Sequence, residues 1–275
     1  MRVLMISGDR TLLAGGLGDV VVRHQEYAKD VERLDILVFT RKKIIQPAFL
    51  LAPNSLVERL GFGNMFSLPK KYHAKYHYDL VVCQDPFFTG FAGWWLKRKS
   101  KIKLLVHFHG DFWRNRWWLR ERWCHVILSG LAKFVVKKAD AIRVMSQGQK
   151  DKLLCDGIDE KKIRVISTPV DIERFEKYPD EKLENRELIE KLRTMTAHRK
   201  MILMVGRKDK VKDFPNLFAA MNLVHDKFEN CGLWLVGNYL AGEANGLGLS
   251  KSVPTFVSGQ VSAIDIPPVS YTNLT

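Results

Sequence analysis

The sequence predicts an α/β fold in which helices cover both faces of a parallel sheet. Short apolar runs alternate with longer amphipathic segments along the first 166 residues, as strands and crossover helices do in such folds. The alternation stops in a charged stretch between residues 175 and 200 and then starts again. This interruption predicts a second unit of the same class.

The elements of the first unit follow one another in strand–helix order. We expect its apolar runs to be buried strands: Val3–Ile6, Asp35–Phe39, Leu80–Cys83, Leu104–Phe108, Ala141–Met145 and Ile163–Ile166. Between them, amphipathic spacing predicts four helices: Val20–Ala28, Thr89–Lys99, Trp117–Lys137 and Gly148–Cys155.

The charged stretch KYPDEKLENRELIEKLRTMTAHRK predicts a linker and an exposed helix. Beyond it we expect strands at Met201–Val205, Leu233–Val236 and Thr255–Val257 and a helix at Pro215–Phe228. The predicted organisation is a first domain over 1–178, the linker and its helix over 179–198, and a second domain over 199–275. A doubly wound domain usually needs more residues, so we expect the second one to be incomplete.

The amino-acid composition limits the classes of binding partner and the cellular location that we expect. Lys and Arg number 44 against 30 Asp and Glu, a net charge of +14, which favours phosphorylated substrates, anionic lipid or nucleic acid as partners, although solubility alone also explains it. No nucleic-acid-binding motif accompanies the charge, so we do not expect nucleic acid.

No apolar run reaches the roughly 18 residues that span a bilayer. Four distant cysteines without C-x-x-C spacing predict reduced thiols and a cytoplasmic protein.

A glycine cluster, Gly15-Gly16-Leu17-Gly18, lies between the first predicted strand and helix. Glycines there permit a tight turn, and a helix N-terminus offers unpaired N–H groups to an anion. The spacing is not that of the dinucleotide-binding G-x-G-x-x-G motif. Both an anion site and a plain glycine-rich turn are consistent with it.

Polar residues follow the strand predicted at Leu104–Phe108. His107, His109 and Asp111 fall at its carboxyl end, where ligands bind in open α/β sheets. A zinc site would need a third ligand that no clear motif supplies. A structural role is the alternative for either histidine, and we favour His109 as the functional one.

Tryptophans and arginines alternate after these histidines. On a helix, Arg116, Arg120 and Trp123 would share one face, as would Trp113 and Trp117. Such a mixture suits an anionic bilayer surface or single-stranded nucleic acid, or the rings pack inward and the cations face water. The candidate acceptor or membrane residues are Arg114, Arg116, Trp117, Trp118 and Arg120.

A second basic loop, Val205-Gly206-Arg207-Lys208-Asp209-Lys210-Val211-Lys212-Asp213, follows the first strand of the second unit. A strand, a glycine and spaced cations before a helix predict a phosphate site, in which Arg207 and Lys212 converge on one diphosphate. A loop that is only solvated remains the alternative.

Six segments together resemble family 4 retaining glycosyltransferases, and the resemblance covers nearly the whole chain. They are the opening strand with GGLG, QDPFFTGFAGWWLKRK, VHFHGD, ADAIRVMSQGQKDKLLCDGIDEKKIRVISTPVDIERF, MILMVGRKDKVKDFPNLFAAM and LWLVGN. The fourth is the most specific, because it combines a strand, a serine, a helix, a second strand and a Val-Asp turn.

The resemblance implies the GT-B fold, with two Rossmann-like doubly wound domains, the first for the acceptor and the second for a nucleotide sugar. It implies transfer with retention of configuration, without metal or cofactor, because Arg207 and Lys212 hold the donor diphosphate. It assigns His109 to the sugar near the reacting carbon. It also implies a donor site lined by glycines: Gly16, Gly18, Gly206 and Gly237.

The same resemblance suggests a glycan or lipid-linked acceptor in the synthesis of a cell-surface polysaccharide or glycolipid. It also suggests that the first domain docks on the inner face of the membrane, which we expect to involve Phe112–Trp123. Four arginines in that segment could supply several kcal/mol, at about 1 kcal/mol per basic residue near an anionic surface.

Two departures from the family pattern stand out. Ser167-Thr168-Pro169 replaces the usual Asn-Gly before the Val-Asp turn, and proline removes an N–H group there. The family's two glutamates, eight positions apart, are not reached before Thr275. The chain is thus expected to be part of a glycosyltransferase, or else a catalytically incomplete module that binds acceptor, membrane or a partner. A sugar-nucleotide epimerase of the same fold is less consistent with the long match ending at Phe175.

Overall fold

The computed structural model describes residues 1–13, 19–41, 47–168, 172, 194, 200–206, 209, 212–238 and 243–259. The chain divides into two compact units, Met1–Pro169 and Val170–Thr275. Parallel strands connected by helices occur in both, which confirms the predicted α/β class. The helix predicted within 179–198 lies outside the described residues apart from Thr194.

The first unit is built on one eight-stranded sheet. Its strands are Arg2–Ser7 (β1), Arg33–Phe39 (β2), Phe49–Ala52 (β3), Ser55–Leu60 (β4), Leu80–Cys83 (β5), Lys103–His107 (β6), Ala141–Val144 (β7) and Ile163–Val165 (β8). They lie in the order β3-β4-β2-β1-β5-β6-β7-β8, and only β3 and β4 pair antiparallel. The hairpin of β3 and β4 was not predicted, because both strands are short and mix apolar with polar residues.

Helices cover both faces of this sheet. They are Asp19–Lys29 (α1), Ser67–Tyr76 (α2), Phe88–Ser100 (α3), Arg116–Glu121 (α4), Cys124–Lys138 (α5) and Gln147–Leu154 (α6). Strand β1 shows why two layers form, since Leu4 and Ile6 join one buried cluster while Val3 and Met5 join the other. Alternate side chains of a strand point to opposite faces, so a strand that is apolar throughout requires cover on both.

The prediction of one long helix over Trp117–Lys137 is wrong. Helix α4 ends at Glu121, and Arg122 has an extended backbone with φ −147° and ψ 138° before α5 begins. Two contacts stabilise the interruption. The Asn115 side chain caps α4 by accepting a hydrogen bond from the Trp118 N–H at 3.1 Å. The His125 ring then stacks on the Trp118 ring, with centroids 4.1 Å apart.

The second unit contains three parallel strands, Lys200–Val205 (β9), Cys231–Val236 (β10) and Thr255–Gly259 (β11), in the order β11-β10-β9. Two helices are described in it, Phe214–Lys227 (α7) and Glu243–Gly246 (α8). Every residue of β10 is buried, as expected for the middle strand of a covered sheet. In the described parts of both units, each helix is too short or too polar to traverse a bilayer.

Candidate functional site

The strand order of the first unit reverses between β1 and β5. From β1 the sheet extends to β2 on one side and to β5 and β6 on the other. Loops leave such a point in opposite directions, so the carboxyl ends of these strands border a crevice where ligands bind. The residues at those ends are Ser7 of β1, Gln84 after β5 and His107 of β6.

A chain of hydrogen bonds joins the ends of β1 and β5 to helix α1. The Ser7 hydroxyl donates to Oε1 of Gln84 at 2.5 Å. Nε2 of Gln84 lies 3.3 Å from Nε2 of His24, and Nδ1 of His24 lies 2.6 Å from the Val20 carbonyl oxygen. Since a carbonyl only accepts, the His24 hydrogen is on Nδ1, and Nε2 accepts from the Gln84 amide. Every bond in this Ser7–Gln84–His24 chain therefore has one donor and one acceptor.

Three neutral imidazoles lie at this edge. Burial lowers the pKa of His24. Burial, with the nearby Arg143 guanidinium, lowers the pKa of His107 to about 3. The same two causes, joined by the Arg23 guanidinium, lower the pKa of His109. At neutral pH each of these rings therefore has one N–H donor and one acceptor nitrogen.

His109 is the exposed member of the group. Strand β6 ends at His107, but the rings of His107 and His109 remain neighbours, with centroids 5.6 Å apart. Nδ1 of His107 is buried without a hydrogen-bond partner among the described residues. His107 thus lies beneath His109, which is the histidine that a ligand at this edge would contact.

Helix α6 holds the loop that follows His109. The Gln149 side chain donates to the Gly110 carbonyl oxygen at 3.3 Å. Nζ of Lys152 contacts both carboxylate oxygens of Asp111, at 2.6 and 2.8 Å. Asp111 is therefore bound to a cation, which leaves His109 as the freer polar group of the His-Gly-Asp sequence.

On the neighbouring strand, Arg143 fixes the start of the turn that departs from the family pattern. Its guanidinium donates to the carbonyl oxygens of Ile166 and Ser167, at 2.9 and 2.8 Å. A bidentate contact of this kind defines the direction in which the chain leaves β8. Pro169 itself lies outside the described residues.

The aromatic–arginine segment divides into an inward and an outward part. Trp113 is 5% exposed and precedes α4, so the prediction that it shares a helical face with Trp117 is wrong. Its indole donates to Asp156, which also lies 3.7 Å from Arg114. Trp118 is half-buried, while the remaining candidates are exposed: Arg114, Arg116, Trp117 and Arg120.

Within the described residues, a glycine lies at the carboxyl end of each strand of the second sheet. The Gly206 N–H donates to the Val236 carbonyl at 2.9 Å, and the Gly237 N–H donates to the Gly259 carbonyl at 2.8 Å. Gly237 has φ 145° and Gly259 has φ 74°, which favour glycine. A Cβ on Gly206 would lie 3.4 Å from Cε of Lys212, so the lysine side chain passes close over the end of β9.

Three predicted residues, Gly16, Gly18 and Arg207, lie outside the described residues. Among those described, no three His, Cys, Asp or Glu side chains are grouped as metal ligands would be. Sequence reasoning assigned no role to Ser7, His24 and Gln84. The rule that selected His109, a polar residue at the end of a buried strand, would also have found Ser7 and Gln84.

Comparison with known proteins places the chain among carbohydrate-active enzymes. The sequence model of Glycosyltransferase Family 4 matches residues 18–174. An uncharacterized glycosyltransferase of Methanocaldococcus jannaschii, MJ1069, is 25% identical over 248 residues, 81% of this chain and 60% of the relative. The chain therefore spans about 60% of the length of that curated relative.

Solved structures show the same fold. Sucrose-phosphate synthase from Thermosynechococcus elongatus matches with a TM-score of 0.71 and 18% identity, over 99% of this chain and 74% of the other. Anabaena Alr3699/HepE, solved in complex with UDP, matches with a TM-score of 0.64 and 16% identity, over 99% and 72% of the two chains.

Proposed function

Because the chain belongs to glycosyltransferase family 4, we propose that it transfers a sugar from a nucleotide sugar to an acceptor. The likeness to solved glycosyltransferases confirms the GT-B fold predicted from the sequence. The observation that carries the proposal is the described part of the carboxyl edge of the second sheet, where Gly206, Gly237 and Gly259 lie at the strand ends and the Lys212 side chain lies close to Gly206. Such an arrangement suits a diphosphate.

In this proposal Lys212 and Arg207 bind the donor diphosphate. Charge accumulates on the diphosphate as its bond to the sugar breaks, and positioned cations stabilise that charge more than they stabilise the ground state. A metal ion is then not needed. Gly206 and Gly237 allow the diphosphate to approach the backbone, and the UDP bound to Alr3699/HepE supports a nucleotide-sugar donor.

The first unit supplies the acceptor side of the proposed reaction. In the proposal it also supplies the catalytic histidine: His109 is neutral and exposed, so it both donates and accepts hydrogen bonds, and it contacts the sugar near the reacting carbon. We extend the proposal to transfer with retention of configuration. The acceptor is a glycan or a lipid-linked sugar in cell-surface polysaccharide or glycolipid synthesis, and the protein binds peripherally at the inner face of the membrane.

Nucleotide binding tests the donor site. UDP or GDP at about one hundred times its Kd should raise the free energy of unfolding by about 2.7 kcal/mol, measured as a thermal shift. Lys212→Ala should weaken binding by about ten- to one-hundredfold, because a charge-assisted hydrogen bond is lost. Lys227→Ala is the matched control, since Lys227 is an exposed lysine at the far end of α7.

The outcomes separate the assignments. An equal shift in wild type and Lys212→Ala would remove Lys212 from the donor site. If neither UDP nor GDP shifts the wild-type protein, the donor-binding proposal fails, and a module that binds only acceptor or partner becomes the better description.

A further inference from the structure

The outward face of α5 is apolar where a solvated helix would be polar. Trp123, which caps the helix, is 80% exposed, and Val126 and Ile127 are 62% and 63% exposed. These positions are three and four residues apart, so they form one surface about a turn long. Isolated exposed apolar residues are ordinary, but large ones adjoining on one helical face indicate an interaction surface.

This face is not needed to hold α5 in place. The opposite side of the helix already packs into the core of the first unit through Ala132, Val135 and Val136. The helix therefore has an apolar face toward the sheet and a second one toward solvent. The second face is mostly exposed within the described part of the unit at Trp123, Val126 and Ile127.

Aromatic side chains extend the surface on both sides. Trp117 of α4 is exposed next to the start of α5. Further along α5, Phe134 is partly exposed and packs edge-on against Trp94 of α3, with ring centroids 4.8 Å apart. We call the set Trp117, Trp123, Val126, Ile127 and Phe134 the outer aromatic face.

Cations surround the outer aromatic face. Between residues 116 and 138 the sequence has six basic residues, Arg116, Arg120, Arg122, Lys133, Lys137 and Lys138, against one acidic residue, Glu121. All six basic residues are exposed, and none has an ion-pair partner among the described residues. Their charge is therefore available to an external anion.

We propose that the outer aromatic face inserts into the headgroup region of an anionic lipid bilayer. Tryptophan and aliphatic side chains enter the boundary of the acyl chains, while arginine and lysine side chains reach the phosphates around them. A protein partner fits less well, because lysine is depleted in protein interfaces. The proposal moves the docking segment from Phe112–Trp123 to Arg116–Lys138, since Phe112 and Trp113 are buried.

This inference rests on the peripheral membrane binding proposed above and names the surface that performs it, and it does not depend on the sugar transfer. Vesicle flotation measures it directly, with phosphatidylcholine vesicles compared with vesicles containing about one-third phosphatidylglycerol. We expect the protein to float only with the anionic vesicles. Raising the salt concentration to about 0.5 M should weaken binding, since salt screens the phosphate–cation attraction.

Two sets of variants divide the apolar and the charged contributions. Trp123→Ser with Ile127→Ser should lower the partition coefficient by at least about tenfold, because two large side chains no longer leave water. Arg116→Gln, Arg120→Gln and Lys133→Gln together should remove the preference for anionic vesicles. Val22→Ser with Leu50→Ser is the control, as both residues are comparably exposed in α1 and β3.

Thermal unfolding of each variant shows that it is folded, and the nucleotide shift reports the donor site in the same samples. Equal flotation of wild type and the Trp123→Ser, Ile127→Ser variant would overturn the proposal, as would equal losses in the control. If the wild type fails to float but forms a dimer that this variant does not form, the face binds a second copy and the membrane proposal is wrong.

Discussion

The carboxyl edges of the two sheets differ in what they present to a ligand. At the first sheet the strand ends carry Ser7, Gln84 and His107, whose positions are set by side-chain contacts and burial. At the second sheet the described strand ends carry Gly206, Gly237 and Gly259, and the Lys212 side chain lies close to Gly206.

This difference is suited to two kinds of recognition. In the proposed function, the first edge distinguishes acceptor sugars by the directions of their hydrogen-bonding groups. At the second edge, glycines admit a close approach and Lys212 beside Gly206 supplies charge, which suits the proposed donor diphosphate. The first edge should therefore be sensitive to loss of polar atoms, and the second to a side chain on a backbone that favours glycine.

Gln84→Leu should give the largest effect on the first edge. It leaves the Ser7 hydroxyl and Nε2 of His24 without their partner, at a cost of about 2–3 kcal/mol in the free energy of unfolding. Urea unfolding followed by tryptophan fluorescence in a Trp234→Phe background reports the first unit, which contains the other tryptophans.

The matched control is Gln147→Leu, since Gln147 is exposed and, in the part of the chain that the structure describes, its side chain bonds only to Asp151 in its own helix. Its effect should stay within about 0.5 kcal/mol. Equal destabilisation by the two changes would mean that the Ser7–Gln84–His24 chain contributes no more to the free energy of unfolding than an exposed hydrogen bond does.

The second edge should respond to a methyl group. Gly259→Ala forces a side chain onto a backbone with φ 74°, at a cost of about 1–2 kcal/mol to the second unit, and should weaken the nucleotide-induced thermal shift. Gly110→Ala at the first edge should be close to neutral, because Gly110 is not among the glycines with positive φ and, as at Gly259, nothing lies within 4 Å of the added Cβ. Similar effects on both edges would contradict the contrast between them.

Lowering the pH should decrease the free energy of unfolding of the first unit gradually, and by less than the substitutions above. His24, His107 and His109 have folded pKa values below those of the unfolded chain, so below about pH 6.5 the unfolded state binds more protons. Stability is therefore full above that pH and falls as the pH decreases, by at most about 1.4 kcal/mol per pH unit for each histidine.

Urea unfolding at pH 7 and at pH 5.5 measures this slope. Burial raises the pKa of Asp85, which acts in the opposite direction, so the comparison needs a variant. His107→Leu should flatten the pH dependence without changing the contribution of Asp85. A slope that is the same in wild type and variant would show that the pKa of His107 is not lowered in the folded protein.

The sequence allowed the central strands and one edge residue to be predicted, for physical reasons. Strands such as Leu80–Cys83 are apolar throughout because both faces are covered, and that signal is local. His109 could be found because it follows such a strand. The partner of Gln84, by contrast, lies 60 positions away on α1, and no local pattern encodes that contact.

The break between α4 and α5 escaped prediction for a related reason. Helical periodicity continues through Arg122, and the interruption depends on the stacking of His125 on Trp118 and on the Asn115 cap. These contacts depend on the specific geometry of three side chains, which the hydrophobic periodicity of the sequence does not encode. The predicted docking surface is therefore misplaced. Trp113 is buried and Trp118 packs half-buried against the core, whereas Trp123 and Ile127 are exposed.

In the Ser7–Gln84–His24 chain, each group donates a hydrogen bond to the next. This order limits which substitutions are compatible at these positions. The Asp9 N–H donates to the Ser7 oxygen, and the Ser7 O–H donates to Gln84. The Gln84 amide in turn donates to His24, and His24 donates to the Val20 carbonyl oxygen. Replacing one member by a group of opposite polarity sets two donors or two acceptors against each other. Substitutions at positions 24 and 84 are therefore expected to occur together in related proteins, so that covariation, rather than invariance, marks this edge.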